Sequence, residues 1–149
     1  MRGAIPQELR TWPSVSAEAA KPYQGQIDVE GRDETGRKTF IPWVRVYSPE
    51  LSLSAQHGWY AVYLFEPEGG GVSLCLSHGS TQFDGQGYIA RPQEEVEPLL
   101  VWARDTIGKR AEESGFRLGV DLRAENALGR AYERTTAYSK HYEATNLQK

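Results

Sequence analysis

This sequence predicts an α+β fold: a curved, mostly antiparallel sheet or partial barrel, flanked by two C-terminal helices. Three observations carry the prediction. The seven residues from Trp59 to Phe65 are all apolar or aromatic, and Gly69-Gly70-Gly71 joins them to an alternating run, Val72 to Ser77, in the manner of a hairpin. Weaker strand-like stretches precede the hairpin, and from Arg91 onward apolar residues recur at spacings of three and four. Strands grouped ahead of helices favour α+β over an alternating α/β order.

Taken in order, Pro6 to Leu9 suggests a short helical turn, Ser14 to Pro22 is polar and alanine-rich, and Gln24 to Val29 reads as a weak strand. The run from Glu30 to Lys38, with Gly31 and Gly36, is a turn or loop. Thr39 to Tyr47 is a clearer strand, with Phe40, Pro42, Val44 and Val46 on one face and Ile41, Trp43, Arg45 and Tyr47 on the other. Because Pro42 lacks an N–H, this strand is expected at an edge or with a bulge. Residues 48–58 form a loop or single helical turn. In the hairpin, residues 59–65 should be a central strand covered on both faces. Its partner turns Val72, Leu74 and Leu76 to the core, and Ser73, Cys75 and Ser77 to a side that lines a groove or lies under a helix.

A polar, glycine-rich loop holding Phe83 follows from Gly79 to Gly87. Pro92 suits a first helical turn, but Pro98 places the expected helix start at itself, and Ser114-Gly115 marks a glycine C-cap. Residues 116–122 read as a short returning strand. Residues 125–142 read as a second helix, with Leu128, Ala131, Tyr132, Thr135, Tyr138 and Tyr142 on one stripe.

Composition sets the outer limits. With 149 residues, 39% hydrophobic and 25% charged, the chain is expected to be a single domain, 1–149, that buries about two-thirds of its unfolded surface. It has no apolar run of membrane-spanning length and no apolar signal region after Met1, so a cytoplasmic setting without a membrane partner is expected. The lone Cys75 excludes an internal disulfide and reads as a small buried hydrophobe. A net charge of −3 points to no polyanion partner globally, so nucleic-acid binding would have to rest on a local patch.

No catalytic constellation emerges. Gly69 to Gly71 lacks the Lys-Ser/Thr and the helix of a phosphate loop. His57, His78 and His141 show no ligand spacing, so no metal and no cofactor is implied. Cys75 and His78, three apart on a strand, point to opposite faces and cannot act together. Asp84 and Glu94, Glu95 and Glu97 are not the clustered carboxylates of a metal-dependent nuclease.

Binding remains. Arg32, Arg37, Lys38 and Arg45 outnumber Asp33 and Glu34 between residues 31 and 47, and residues 109–142 hold a small basic excess. With Trp43, Tyr47, Trp59, Tyr60 and Tyr138 they make either an ordinary core beneath a solvated face or an aromatic and cationic surface that stacks bases.

The order Pro42-Trp43-Val44-Arg45-Val46-Tyr47, Ser54-Ala55, Gly58-Trp59-Tyr60-Ala61-Val62-Tyr63-Leu64-Phe65 and Ser77-His78-Gly79-Ser80-Thr81 resembles a known family. It is similar to the N-terminal DNA-recognition domain of McrB-type, modified-cytosine-dependent restriction proteins, with Thr136 to Tyr142 matching the closing segment. His78 departs from the asparagine or similar amide common there. The resemblance implies a non-catalytic module of a modification-dependent (type IV-like) defence system; the expectation is a domain excised from a longer restriction protein, with a stand-alone reader as the alternative. It implies double-stranded DNA carrying a modified base as partner, 5-methylcytosine or its hydroxymethyl form, with an attached or associated nuclease or NTPase module. The base would be flipped into an aromatic pocket, as in the functionally analogous SRA, EVE and YTH domains, and the fold would be PUA/SRA/EVE-like. Candidates for that pocket are Trp43, Trp59, Tyr60, Tyr63, Ser77, His78, Ser80 and Thr81, and for phosphate contact Arg37, Lys38, Arg45 and Lys140. The rival readings are a module for protein interaction or oligomerisation that positions a nuclease, a reader of another mark such as phosphorothioate, and a nuclease in its own right.

Overall fold

A computed structural model of the chain describes residues 4–11, 21, 26–32 and 41–146. After helix α1 (Ala4–Thr11) come strands β1 (Asp28–Arg32), β2 (Trp43–Tyr47), β3 (Trp59–Phe65) and β4 (Gly71–His78). A small hairpin, β5 (Thr81–Phe83) and β6 (Tyr88–Ala90), leads to α2 (Gln93–Glu113). The chain closes with β7 (Arg117–Leu118), α3 (Ala127–Thr135) and β8 (Thr136–Glu143). The main sheet is six-stranded and antiparallel in the order β1-β2-β3-β4-β8-β7, while β5 and β6 pair separately. It remains open, so the fold is α+β with a sheet and flanking helices, not a barrel.

Opposed residues share a face. The register therefore gathers Trp43, Arg45 and Tyr47 with Tyr60, Val62 and Leu64, and with Ser73, Cys75 and Ser77. On this face a core forms from Ile41, Trp43, Tyr60, Val62, Leu64, Cys75 and Leu122. Val44, Val46, Trp59, Tyr63 and Phe65 take the other face. It is covered at the β1 end by Leu9 of α1, with Val29 and Val44, and at the β8 end by Val96, Leu100 and Ala103 of α2 against Tyr138.

The central position of 59–65 and the glycine end of α2 agree with the sequence reading. Gly115, at φ +80°, follows the helix, and the Phe116 N–H reaches back 2.9 Å to the Ala111 carbonyl. Other expectations are corrected. Strand β2 is interior: Pro42 precedes the first paired residue, so its missing N–H costs the ladder nothing, and its carbonyl accepts from Phe65 N at 3.0 Å. The serine and cysteine side of β4 is the more deeply buried one, because serine hydroxyls find partners there. Ser77 Oγ and Thr136 Oγ1 lie 2.8 Å apart, and Ser73 Oγ is 3.1 Å from His141 Nδ1.

Helix α2 starts at Gln93, not at Pro98. Glu94 and Pro98 are both exposed, so water reaches the carbonyl that the proline leaves unbonded. The glycine-rich stretch after Ser80 contains the β5–β6 hairpin, closed by Asp84, whose carboxylate accepts from Gln86 N and Gly87 N. The returning strand in 116–122 is only Arg117–Leu118. The expected helix over 125–142 is half helix and half strand. Asn126 caps α3 by accepting from Gly129 N at 2.7 Å, and the β-branched pair Thr135-Thr136 ends it by starting the β8 ladder against β4. Most of the segment Ser14 to Pro22, residues 33–38 and the start of the 39–47 strand lie outside the described residues.

Candidate functional site

The face that carries Trp43 is only partly roofed. Over its β8 side the segment 119–126 is anchored by Leu122, which is 1% exposed and whose N–H donates to Glu133 Oε1 at 2.8 Å. Over β2 and β3 the sheet opens into a cleft of about 1050 Å3. Trp43, Arg45 and Tyr60 form its floor, the 48–58 loop and the Ser77–Tyr88 segment form two walls, and Leu128 and Tyr132 of α3 form the third.

The walls are fixed to each other by backbone contact. Gly58, at φ +77°, turns the first loop tightly enough that a Cβ there would lie 2.1 Å from the Leu51 carbonyl oxygen. Gly79 of the second wall passes so close to the first that a Cβ would lie 2.1 Å from the Gln56 carbonyl. Arg91 then spans both, donating Nε to Gly79 O at 3.0 Å and Nη2 to Gln56 O at 2.9 Å, while Nη1 pairs with Glu95 at 2.9 Å. The Tyr60 hydroxyl ties the floor to the first wall through Ala55 O at 2.8 Å. Burial raises the pKa of that hydroxyl, so it stays a donor.

Arg45 is the buried charge of the site, at 2% exposure. Its Nε donates to Glu30 Oε2 at 2.9 Å, Nη2 lies 2.7 Å from the same oxygen, and Nη1 donates to Ser52 Oγ at 3.0 Å. Its guanidinium also sits 3.7 Å above the Tyr47 ring centroid. A buried charge paired and stacked in this way is held in one orientation.

Of the sequence candidates, Trp43, Tyr60, Arg45, Ser77, His78, Ser80 and Thr81 all border the cleft. Arg45 lies on the floor and not on an outer rim. The His78 ring meets Trp59 edge-on at 5.5 Å between centroids, and burial lowers its pKa, which leaves it neutral near pH 7. Trp59 and Tyr63 lie on the other sheet face, where Trp59 also meets Trp102 of α2. Lys140 is on that face too, with Nζ donating to Ser114 O at 3.2 Å beside the end of α2. Arg37 and Lys38 lie outside the described residues.

The sequence reading passed over Glu30, Gln56, Tyr88, Arg91 and Tyr132 as site residues. Only Tyr132 had given a usable signal, its place on an apolar helical stripe. Burial pushes the Cys75 thiol up to about 12, and the side chain packs in the core, so it offers no nucleophile. Among the described residues no group of His, Cys, Asp and Glu could hold a metal ion, and no helix is long and apolar enough to cross a membrane.

A family model described as the MrcB-like, N-terminal domain matches residues 3–149, essentially the whole chain. The chain belongs to that family. MrcB-like N-terminal domains are DNA-binding modules of McrB-type restriction proteins, and the ring-floored cleft is the feature of this member to be explained. No curated protein and no solved structure matches the chain.

Proposed function

We propose that this MrcB-like domain reads double-stranded DNA by taking a modified cytosine, 5-methyl or 5-hydroxymethyl, out of the duplex and into the cleft. One observation carries the reading: in a DNA-binding family, two large rings, Trp43 and Tyr60, each 9% exposed, border the floor of a cleft whose walls are polar loops. Pockets for compact ligands run to roughly 300–1,000 Å3, so a nucleotide fits. Extrusion costs a few kcal/mol, and stacking on aromatic side chains returns about 1–3 kcal/mol per base. Ser77, Ser80 and Thr81 border the cleft, and Thr81, the one of the three that is not buried, would meet the base edge or its sugar-phosphate. The domain binds without cutting, and strand cleavage belongs to an attached or associated nuclease or NTPase module in the same cytoplasm.

The experiment is a binding series over duplexes with one central cytosine, 5-methylcytosine or 5-hydroxymethylcytosine, with 2-aminopurine next to the target to report unstacking. A preference for a modified duplex with a rise in fluorescence supports the reading. Trp43→Leu should remove that preference while Trp59→Leu, on the far face, retains it. Equal affinity for all three duplexes refutes the proposal.

A further inference from the structure

The rings of the cleft cannot distinguish 5-methylcytosine from thymine, because both carry the same methyl group and present similar faces. They differ at the pairing edge. Cytosine offers a donor at its exocyclic amine and acceptors at N3 and O2, whereas thymine offers an acceptor at position 4 and a donor at N3. A reader of marked cytosine in DNA, where thymine is everywhere, needs an acceptor and a donor fixed side by side.

We propose that Glu30 and Arg45 are that pair: Glu30 accepts from the cytosine amine, and Arg45 donates to N3 or O2. This rests on the reading of the cleft as a base pocket. Both residues line it, and opposed positions on β1 and β2 place them together. Arginine has five N–H donors, and among the described residues Glu30 and Ser52 engage Arg45, which leaves one N–H on each Nη atom unclaimed. A guanidinium at 2% exposure with donors left over is an incomplete arrangement facing a cleft.

Glu30 is complementary. Its Oε2 takes two donors from Arg45, Nε and Nη2, while its Oε1 meets only Arg32 Nε, at 3.3 Å; the side chain is 31% exposed, so Oε1 is the oxygen that keeps a lone-pair direction for a new donor. Stacking on Tyr47 and the bond to Ser52 fix the orientation of Arg45, which in turn fixes Glu30. Thymine would set its position-4 oxygen against the carboxylate and its N3–H against the guanidinium. Sites that hydrogen-bond a substrate edge reject analogues that leave their polar groups unpaired.

The test uses the intact chain and duplexes with one central 5-methylcytosine·guanine, cytosine·guanine or thymine·guanine pair, read by fluorescence anisotropy. A mismatched thymine is cheaper to flip than a paired 5-methylcytosine, so a cleft that only stacks would bind thymine·guanine at least as well. The expected result is a preference for 5-methylcytosine·guanine over thymine·guanine of about 5- to 150-fold. Glu30→Gln, whose amide can present either a donor or an acceptor, should bring that ratio to within about threefold while the thermal melt confirms folding. Thymine·guanine binding as tight as 5-methylcytosine·guanine, with plain cytosine weaker, overturns the inference and leaves the base-pocket reading standing. So does a folded Glu30→Gln with its ratio unchanged. If plain and methylated cytosine bind equally, a 5-hydroxymethylcytosine·guanine duplex replaces the methylated one in the same comparison, and if that too binds no tighter than plain cytosine, both the pocket reading and this pair fall. Should Glu30→Gln not fold, the wild-type panel decides alone.

Discussion

Replacing Arg91 by methionine keeps most of the side-chain stem and removes the guanidinium that joins the two walls of the cleft. Two main-chain carbonyls, Gly79 O and Gln56 O, then lose a charged donor at 3.0 and 2.9 Å from a side chain only 13% exposed. Hydrogen bonds to charged groups contribute about 1.5–3 kcal/mol each, and carbonyls near a cleft regain some water when the donor leaves. The expected loss is therefore about 2–4 kcal/mol for the pair. Glu95 adds little, because its carboxylate is 47% exposed and a surface ion pair contributes about 0–1 kcal/mol. Urea unfolding is the assay, with the shift in midpoint read at constant slope. Glu95→Gln should sit within about 0.5 kcal/mol of the parent. Arg91→Met within about 1 kcal/mol of the parent would refute the claim that this side chain ties the walls together.

Gly79→Ala places a methyl 2.1 Å from the Gln56 carbonyl, so the walls must part. It should destabilise by about 1–3 kcal/mol in the same urea assay and weaken binding of the modified duplex. Cys75, 1% exposed with its thiol pushed up to about 12, should resist a thiol reagent at pH 8 in the folded chain and react promptly in urea. The pKa of His78 lies below its ordinary 6.5 in the fold because burial disfavours the charged ring. As pH falls below 6.5 the unfolded chain takes up this proton first, so stability should drop from pH 7 downward until the folded pKa is passed. His78→Gln should flatten that slope, as measured by thermal melts across the range.

Much of the sheet was legible because alternation and glycine turns are local signals. Trp59 to Phe65 needed only its own composition to be read as a central strand. What stayed hidden was the pairing between strands. Trp43 and Trp59 look equivalent in sequence, yet the register sets Trp43 opposite Leu64, which puts Trp43 in the cleft and Trp59 against α2. That register depends on how the 48–58 loop folds, and nothing in either strand records it. Tyr138 and Tyr142 misled for a related reason: a spacing of four suits one face of a helix and also one face of a strand. Arg91 and Glu30 were invisible as site residues because their importance lies in partners 35 and 15 residues away.

The switch from helix to strand at Thr135-Thr136 also accounts for the existence of a cleft. Six strands about 4.8 Å apart spread over roughly 24 Å. Helix α3, of nine residues at about 1.5 Å each, is roughly 13 Å long and covers at most about half that width, whatever its direction. Had the helix run from 125 to 142 as the residue spacing suggests, it would reach about 27 Å, enough to roof the sheet from edge to edge. Trp43 and Tyr60, core side chains each 9% exposed, would then have no opening beside them at all. By ending α3 early and giving the remaining residues to β8, the chain widens the sheet and shortens its cover in one step. The cleft that is left beside this cover has Trp43, Arg45 and Tyr60 at its floor, none more than 9% exposed.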